Sequence, residues 1–321
     1  MISQHIYKSV LPVKSRKELA ELLFQNIIHN KDGVVAINKP YGLRNGLGFD
    51  DPLDRKFNNV NEFDFDLRDA LPSLASMLDL PQLIVARSPE KYASGVTLLN
   101  VDRDAGIKIS RAVSYSTFQA RFTYHALCYG VPLDISKKSK FGLKTESIDD
   151  NTNRMVLVDN VTKSAVMKKK MKKIFYFHKV LATDSDRKVS LVEVIANRIL
   201  WYYVPLYLAS RLLTPVIGDQ IFGSKVKQIF GKPILLPKLN PTAYNPQKLP
   251  KDFYEKVLVP ERDFMIIPNH LHVAKITLCN FNGKNDHLEI TAPPPPHFQW
   301  TCSQLKLWSN PEDSLPLEIT I

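Results

Sequence analysis

Cysteine is scarce in this sequence, and its spacing argues against two kinds of protein. The three cysteines, Cys128, Cys279 and Cys302, lie far apart in a chain of 321 residues, and none belongs to a CxxC pair. Closely spaced thiols are typical of disulfide frameworks and of zinc sites. The sequence therefore predicts a reducing compartment, without a disulfide framework or a thiolate zinc centre.

Long apolar runs and the common cofactor motifs are also missing. A membrane-spanning helix needs roughly 18 consecutive apolar residues, and the best candidate, residues 201–213, is shorter and contains Arg211. The sequence has no glycine-rich phosphate loop, and His270 and His272, which alternate along a predicted strand, form no metal triad. We therefore expect no membrane insertion, no metal and no cofactor.

Acidic residues are outnumbered: 32 Asp and Glu stand against 43 Lys and Arg, which gives a net charge of +11. Such an excess favours a polyanion such as RNA as the partner, although basic proteins of the mitochondrial matrix share it without binding nucleic acid. The first seventeen residues carry Lys8, Lys14, Arg16 and Lys17 and no acidic residue, as in transit peptides. We expect RNA rather than DNA as partner, and a mitochondrial or otherwise cytoplasmic location.

Hydrophobic periodicity divides the chain into helices and strands. Ser15 is a predicted N-cap with Glu18 as its capping-box partner. The predicted helices are residues 15–28, 67–80 and 104–120. The predicted strands are residues 34–37, 96–99, 122–129, 155–158, 175–182 and 189–195. Residues 44–66 and 135–154 are predicted to be irregular.

The most informative stretch is residues 86–99, Ala-Arg-Ser-Pro-Glu-Lys-Tyr-Ala-Ser-Gly-Val-Thr-Leu-Leu. A charged loop with a proline here leads directly into an apolar strand. Glu90 thus stands at the edge of a sheet, with Arg87 and Lys91 beside it. Charged groups at such an edge indicate a site, although a solvated turn with a local ion pair has the same pattern.

This stretch resembles the active-site loop of the RluA-type pseudouridine synthases, His-Arg-Leu-Asp-Lys-x-Thr-Ser-Gly. Lys91, Ser94 and Gly95 match in register, and Glu90 falls at the position of the catalytic aspartate. Further correspondences follow in the family's order. They are Lys-Pro-x-Gly at residues 39–42, the tyrosine strand at 122–130, Leu-Val-Glu-Val at 191–194, Pro-Val-Ile-Gly-Asp at 215–219, His-Leu-His-Val at 270–273 and the proline-rich ending at 292–298.

The family's arginine motif is absent between two of these matches. Pro205 occupies the position of the arginine in His-Gln-Ile-Arg, and Arg198 lies near the Thr-Gly-Arg position but out of register. The loss of both the aspartate and the arginine makes the chain resemble, in particular, the divergent animal mitochondrial member of the family.

The resemblance implies an α+β pseudouridine synthase fold, with a mixed, mostly antiparallel central sheet, flanking helices and a central RNA cleft. Residues 11–308 would form the catalytic-like domain. Residues 1–10 would be a short segment with a possible targeting role, and residues 309–321 a tail. The strands at 34–37, 96–99 and 122–129 should share one sheet, with Glu90 and Tyr124 facing the same cleft.

The resemblance also implies a reaction that needs one carboxylate and no cofactor. A uridine is flipped out, the carboxylate attacks the nucleoside, and the base rejoins through carbon. Glu90 would be the carboxylate and Tyr124 the residue that stacks on the uracil. The candidate RNA contacts are Lys39, Arg87, Lys91, Arg198 and, in the lysine-rich run at 163–173, Lys168, Lys169 and Lys170.

Three hypotheses follow. The first is an RNA-binding relative with weak or absent isomerase activity that acts on mitochondrial rRNA or mRNA and has large ribosomal subunit precursors among its partners. The second is an active synthase in which Glu90 acts and Arg198 or Arg87 replaces the missing cation. The third is a protein-interaction scaffold of mitochondrial ribosome assembly that binds no RNA.

Overall fold

Apolar residues at alternate strand positions build one large sheet around which the chain is wrapped. The structure, a computed structural model, describes residues 5–8, 10–11, 13–46, 66–115, 121–149, 152–186, 188–198, 202–230, 232–236 and 247–307. Its strands are β1 Ile27–Lys31, β2 Val34–Lys39, β3 Ile84–Arg87, β4 Ser94–Asn100, β5 Phe122–Tyr129, β6 Ser136–Asp149, β7 Thr152–Val158, β8 Lys172–Asp184, β9 Val189–Ala196, β10 Val226–Ile229, β11 Lys232–Leu235, β12 Leu271–Gly283 and β13 Asp286–Thr291.

Seven helices are found in the described residues. They are α1 Arg16–Gln25, α2 Leu67–Met77, α3 Arg103–Tyr115, α4 Lys163–Met167, α5 Tyr203–Ser210, α6 Lys251–Lys256 and α7 Pro296–Gln304. Among the described helices, none has the length and apolar content needed to span a membrane.

Eleven of the thirteen described strands form one sheet, whose main path is β1-β2-β4-β12-β5-β9-β8-β6-β7, and β10 and β11 form a separate two-stranded sheet. β3 pairs with β4, and β13 pairs with β12. The neighbours are antiparallel except for β4 and β12, which run parallel where Ser94 and Gly95 face His272 and Val273. This confirms the expected mixed, mostly antiparallel sheet, which contains β2, β4 and β5 together.

The parallel contact between β4 and β12 requires a glycine. Gly95 has a φ of +114°, and a Cβ at this position would lie 2.2 Å from the carbonyl oxygen of Val273. Any other residue would force the two strands apart. The Ser-Gly pair that the sequence places before the apolar strand is therefore the point where β4 meets the central strand β12.

Helices cover both faces of the sheet. α3 and α5 pack on the face that carries Val96, Leu98 and Tyr124. α1 and α2 pack on the opposite face, against Val35 and Leu99. Towards the middle of the sheet, that opposite face is covered by α6, α7 and the 3₁₀ turn Ile6–Lys8. Glu90 lies in the loop before the start of β4, where the beginning of α5 approaches it, and Tyr124 lies on the face that α5 covers.

The first helix is shorter than predicted. Ser15 caps it by accepting from the backbone N–H of Glu18, but the Glu18 carboxylate accepts from Lys14 rather than from the cap residue. The helix ends at Gln25, and Ile27 belongs to β1, where it pairs with Ile37 of β2. The helix ends here because the residues that follow pair with β2. This pairing gives their backbone N–H and C=O groups the hydrogen bonds that a longer helix would have given them.

The expectation that residues 135–154 are irregular is wrong. Most of this segment forms β6 and the start of β7. Exposed polar side chains fill the first half of β6, while its backbone pairs with β8. Backbone hydrogen bonds to β8, rather than buried side chains, stabilise this half of the strand. The alternation of buried apolar residues by which a sequence predicts a strand is therefore missing. The long loop predicted at 44–66 lies mostly outside the described residues, as does the end of the predicted helix 104–120.

Candidate functional site

Two loops are fastened together to make the site. One follows β2 and the other joins β3 to β4. The backbone N–H of Gly42 donates to the carbonyl of Lys91 at 2.9 Å. The Asn45 amide donates to the carbonyl of Pro89 at 2.8 Å, and the Ser88 hydroxyl donates to Asn45 at 2.7 Å. These hydrogen bonds hold Glu90, the residue between Pro89 and Lys91, in one place.

Glu90 is closed off from solvent, with only 5% of its surface exposed. Burial raises the pKa of its carboxyl to about 7. Three groups act against burial: the backbone N–H of Glu90 itself, the positive charge of Lys39 and the backbone N–H of Tyr202. The negative charge of Asp219 raises the pKa further. In the described residues, the cation that acts on Glu90 is thus a lysine.

Lys39 lies at the end of β2 and is completely buried. Its Nζ donates to the carbonyls of Pro40 at 3.2 Å and Leu43 at 3.0 Å. Burial lowers the pKa of this ammonium to about 7, with the charge of Glu90 acting in the opposite direction. A lysine in this position cannot reach RNA phosphates unless the loops open, so the structure places it as a charge partner of Glu90.

Tyr124 lies on β5 among other tyrosines. Its ring makes an edge contact with Tyr203 at a centroid distance of 6.2 Å, and Tyr176 stacks on Tyr207 at 4.1 Å. Burial raises the pKa of the Tyr124 phenol well above its ordinary value, and the negative charge of Glu90 raises it further. The charge of Glu90 therefore acts on the Tyr124 phenol.

Asp219 is a third titratable group at this site, and the sequence gives it no role although it ends a matching motif. Its Oδ1 accepts from the backbone N–H groups of Ile221 at 2.8 Å and Phe222 at 3.0 Å. Burial raises the pKa of this carboxyl to about 6. Only the matching motif Pro-Val-Ile-Gly-Asp could have drawn attention to it, because its approach to Glu90 is a product of the tertiary fold.

A serine and a histidine join the mouth of the site to the central strand. The Ser94 hydroxyl lies 2.9 Å from Nδ1 of His272, whose Nε2 lies 2.9 Å from the carbonyl of Ala292. A carbonyl only accepts, so Nε2 carries the proton and Ser94 donates to Nδ1. Burial lowers the pKa of His272 to about 3, which keeps the ring neutral. This pair is a tie between β4 and β12.

Pro205, which the sequence resemblance aligns with the family's arginine, stands at a position that the helix tolerates. Pro205 is buried in the first turn of α5, where a backbone N–H would have no partner within the helix. Arg198 is half-buried after β9, and its positive charge lowers the pKa of Tyr203 while its backbone carbonyl accepts from the Tyr203 hydroxyl. Arg198 thus reaches the tyrosine cluster rather than the carboxylate.

The other candidate RNA contacts are divided between two places. Arg87 is half-buried at the end of β3, and the Lys91 ammonium donates to the hydroxyl of Tyr92 at 3.2 Å. Lys168, Lys169 and Lys170 are exposed in the turn after α4. This turn leads into β8, which is four strand spacings from β4, or about 19 Å across the sheet. The structure brings Glu90, Lys39, Lys91 and Tyr124 together and leaves the three lysines at a distance.

The mixed sheet, the order of its motifs and the buried carboxylate beside a tyrosine are similar to those of the RluA-type pseudouridine synthases. The comparisons agree, although no protein-family model matches the chain. The chain is 26% identical over 297 residues to the human protein named mitochondrial mRNA pseudouridine synthase RPUSD3, covering 91% of this chain and 79% of that protein. It is 22% identical over 312 residues to the zebrafish pseudouridylate synthase RPUSD4, mitochondrial, covering 90% and 75%.

A solved structure has the same fold. Human RNA Pseudouridylate Synthase Domain Containing 4 superposes with a TM-score of 0.66 at 21% identity, over 91% of this chain and 97% of that one. The chain is therefore a homologue of mitochondrial pseudouridine synthases. In the described residues, no cluster of His, Cys, Asp and Glu is arranged to hold a metal ion.

Proposed function

We propose that this protein acts in mitochondria, where it binds rRNA or mRNA and has at most weak uridine-to-pseudouridine isomerase activity. One observation carries the proposal. Glu90, which the sequence resemblance aligns with the family's aspartate, is a buried glutamate with a pKa near 7, and the cation that acts on it is a buried lysine. RNA binding requires a basic surface and a pocket. Catalysis also requires a carboxylate that is ionised and correctly oriented.

The ionisation of Glu90 limits its use as a nucleophile. A carboxyl with a pKa near 7 is ionised in only about half of the molecules at neutral pH, whereas an unperturbed one is ionised in nearly all. A bidentate arginine would hold the carboxylate in its charged form and fix its direction. The Lys39 ammonium supplies a positive charge but no bidentate pair of hydrogen bonds, because it donates to the carbonyls of Pro40 and Leu43.

The length of the side chain adds a second cost. Glutamate is one methylene longer than aspartate, and an error of about 1 Å in the attacking geometry can cost about a hundredfold in rate. The target uracil would also have to enter between Glu90 and Tyr124, both of which are buried. Binding of a flipped nucleotide therefore requires the two fastened loops to open.

A second candidate is an active synthase that uses Glu90. The charge of Lys39, which lowers the pKa of Glu90, and the nearness of Tyr124 support it. In that case activity rises with pH through about 7, because only the ionised carboxylate attacks.

The deciding experiment incubates the purified protein with mitochondrial RNA from cells that lack it, then measures both RNA affinity and new pseudouridine. The Glu90→Gln variant keeps the volume of the side chain and removes its charge. We expect little pseudouridine from the wild-type protein and equal RNA affinity for the two proteins. Abundant pseudouridine that Glu90→Gln abolishes would establish the active synthase instead.

The same experiment tests the scaffold hypothesis. A protein that recovers large ribosomal subunit precursors only through other proteins would show no affinity for the purified RNA. That result would exclude the proposed function, whereas binding without modification would support it.

A further inference from the structure

A groove of about 850 Å³ lies between the edge strand β3 and helix α3, outside the Glu90 site. Three arginines line it, together with an amide and a serine hydroxyl; these residues are Arg87, Arg103, Arg111, Asn100 and Ser110. Lining positions also come from the exposed face of α3 at Ile107 and Ser114. None of the motifs that point to the catalytic site accounts for this grouping of guanidinium groups.

The spacing along α3 explains why these side chains share one wall. Ala105, Ile109 and Ala112 face the sheet and are buried, whereas the groove residues follow each other at steps of three and four on the exposed face. Arg103 and Arg111 are eight residues apart, which is about 12 Å along a helix. The helix therefore presents two exposed cations in a row, and half-buried Arg87 stands opposite them on β3.

The arginines of α3 have no carboxylate partner in the part of the chain that the structure describes. The ion pairs found there involve neither Arg103 nor Arg111. The nearby Asp102 turns its Oδ1 to the backbone N–H of Ala105 at 2.7 Å, where it caps the helix. The positive charge of the groove is therefore available to an external anion.

The groove begins close to the loop that carries Glu90, because Arg87 lines it. Arg87 and Glu90 are three residues apart, so their Cα atoms are separated by at most about 11 Å. α3 also covers the same face of the sheet that carries Tyr124. These distances are short enough for an RNA strand with one nucleotide at Glu90 to reach the groove with a neighbouring nucleotide.

We propose that this groove binds backbone phosphates of the RNA strand that flanks a uridine held at Glu90. The proposal rests on the RNA binding proposed above and adds the place where the strand is held. Guanidinium groups match the oxygens of a phosphate with two parallel hydrogen bonds, and Ser110 and Asn100 add neutral donors. Phosphates are the regularly spaced anions that a row of exposed arginines fits.

The test replaces both exposed arginines, Arg103→Gln with Arg111→Gln, and measures the affinity for single-stranded mitochondrial RNA over a range of salt. The matched control, Lys251→Gln with Arg262→Gln, removes the same charge from exposed positions near α6. We expect the groove variant to bind RNA about tenfold more weakly than the wild type. Its slope of log K against log salt should become shallower by about 1.4, which is two phosphates at about 0.7 each. The control should keep the wild-type slope.

Two further measurements keep the outcomes distinct. Melting temperatures of both variants should match the wild type, because the replaced side chains are exposed. A third variant, Lys168→Ala with Lys169→Ala and Lys170→Ala, tests the distant lysines in the same titration. If the groove variant binds like the control while wild-type protein binds RNA, the groove proposal fails and the proposed function stands. If wild-type protein binds no RNA at all, both fail.

Discussion

At the scale of single residues, Glu90 and Lys39 each have a pKa near neutrality, so each is close to the balance between its charged and its neutral form. Burial favours the neutral form of each group, and their mutual attraction favours the charged forms. Both pKa values therefore come to about 7 from opposite directions. A small rearrangement of the loops that exposes either group would shift this balance strongly towards the charged pair.

The raised pKa of Glu90 predicts how its removal changes the stability. Between about pH 4.5 and 7 the unfolded chain ionises this carboxyl while the folded protein keeps it protonated, so wild-type stability falls as pH rises. The Glu90→Gln variant lacks this loss, so its stability relative to wild type should improve by up to about 3 kcal/mol across this window. Urea denaturation at pH 4.5, 5.5, 6.5 and 7.5 measures the difference.

Glu193 provides a matched control of opposite sign. The close contact with His125, 3.7 Å between its Nε2 and Oε2 of Glu193, lowers the pKa of the Glu193 carboxyl, so its contribution is present above the unfolded pKa and is lost as pH falls through the folded pKa. Glu193→Gln should therefore lose stability relative to wild type above pH 4.5. A pH-independent difference for Glu90→Gln would mean that its carboxyl is solvated and ordinary.

Sequence reasoning identifies Glu90 and Tyr124 because each stands in a motif with neighbours in fixed register. It assigns Lys39 to RNA, since a lysine after a short strand is ordinarily exposed. Its burial depends on the loop at residues 40–46 closing over it, and the approach of Asp219 depends on a turn far along the chain. Contacts of this kind are set by tertiary packing, and no local pattern records them.

At the scale of elements, strands reveal themselves in the sequence only where side chains are buried. β2, β5 and the β8–β9 hairpin are predicted because their apolar residues meet a helix or a core cluster. β6 is missed because its first half contributes mostly backbone hydrogen bonds and exposed side chains. The same exposure explains why this part of the chain is rich in lysine and serine.

The tie between β4 and β12 supports a prediction at this scale. Ser94→Ala removes the donor to Nδ1 of buried His272 and leaves that nitrogen without its partner. Loss of one partner from a buried hydrogen bond costs about 1–3 kcal/mol, so unfolding should occur at a lower urea concentration. The control is Ser76→Ala on the exposed face of α2, which should stay within about 0.5 kcal/mol of wild type. An equal effect of both substitutions would show that the tie contributes nothing.

At the scale of the whole molecule, the beginning of the described chain is part of the core. Tyr7 is buried, its hydroxyl lies 2.7 Å from the Thr301 hydroxyl of α7, and the His5 ring bonds to the carbonyl of Val257. Tyr7 therefore joins the 3₁₀ turn to the last helix, α7, and His5 joins the chain before this turn to the end of α6. The domain limit expected at residue 11 leaves this anchor outside.

Removal of the anchor should destabilise the entire fold. Tyr7→Ala deletes a large buried ring and a buried hydrogen bond, for which we expect a loss of about 3–5 kcal/mol. Tyr7→Phe keeps the ring and should cost about 1 kcal/mol. Thermal unfolding measured by circular dichroism checks both. A Tyr7→Ala protein as stable as wild type would show that residues 5–8 only rest on the surface.

The resemblance predicts the topology of the whole molecule, since no periodicity predicts which strands become neighbours. Motifs in the family's order place β2, β4 and β5 in one sheet, and the described structure agrees. The position of β12 in the middle of that sheet could not be read from local patterns. Its contact with β4 joins residues that are 178 positions apart.

That central position of β12 determines the order in which the molecule can be assembled. A ribosome releases β4 and β5 long before it makes residue 271, so until then both strands have an unpaired edge where β12 will later insert. Unpaired edges recruit other chains, and pairings of long sequence separation form slowly. The incomplete sheet should therefore be prone to aggregation until β12 is made, and a chain cut short before β12 should aggregate rather than survive as a smaller domain.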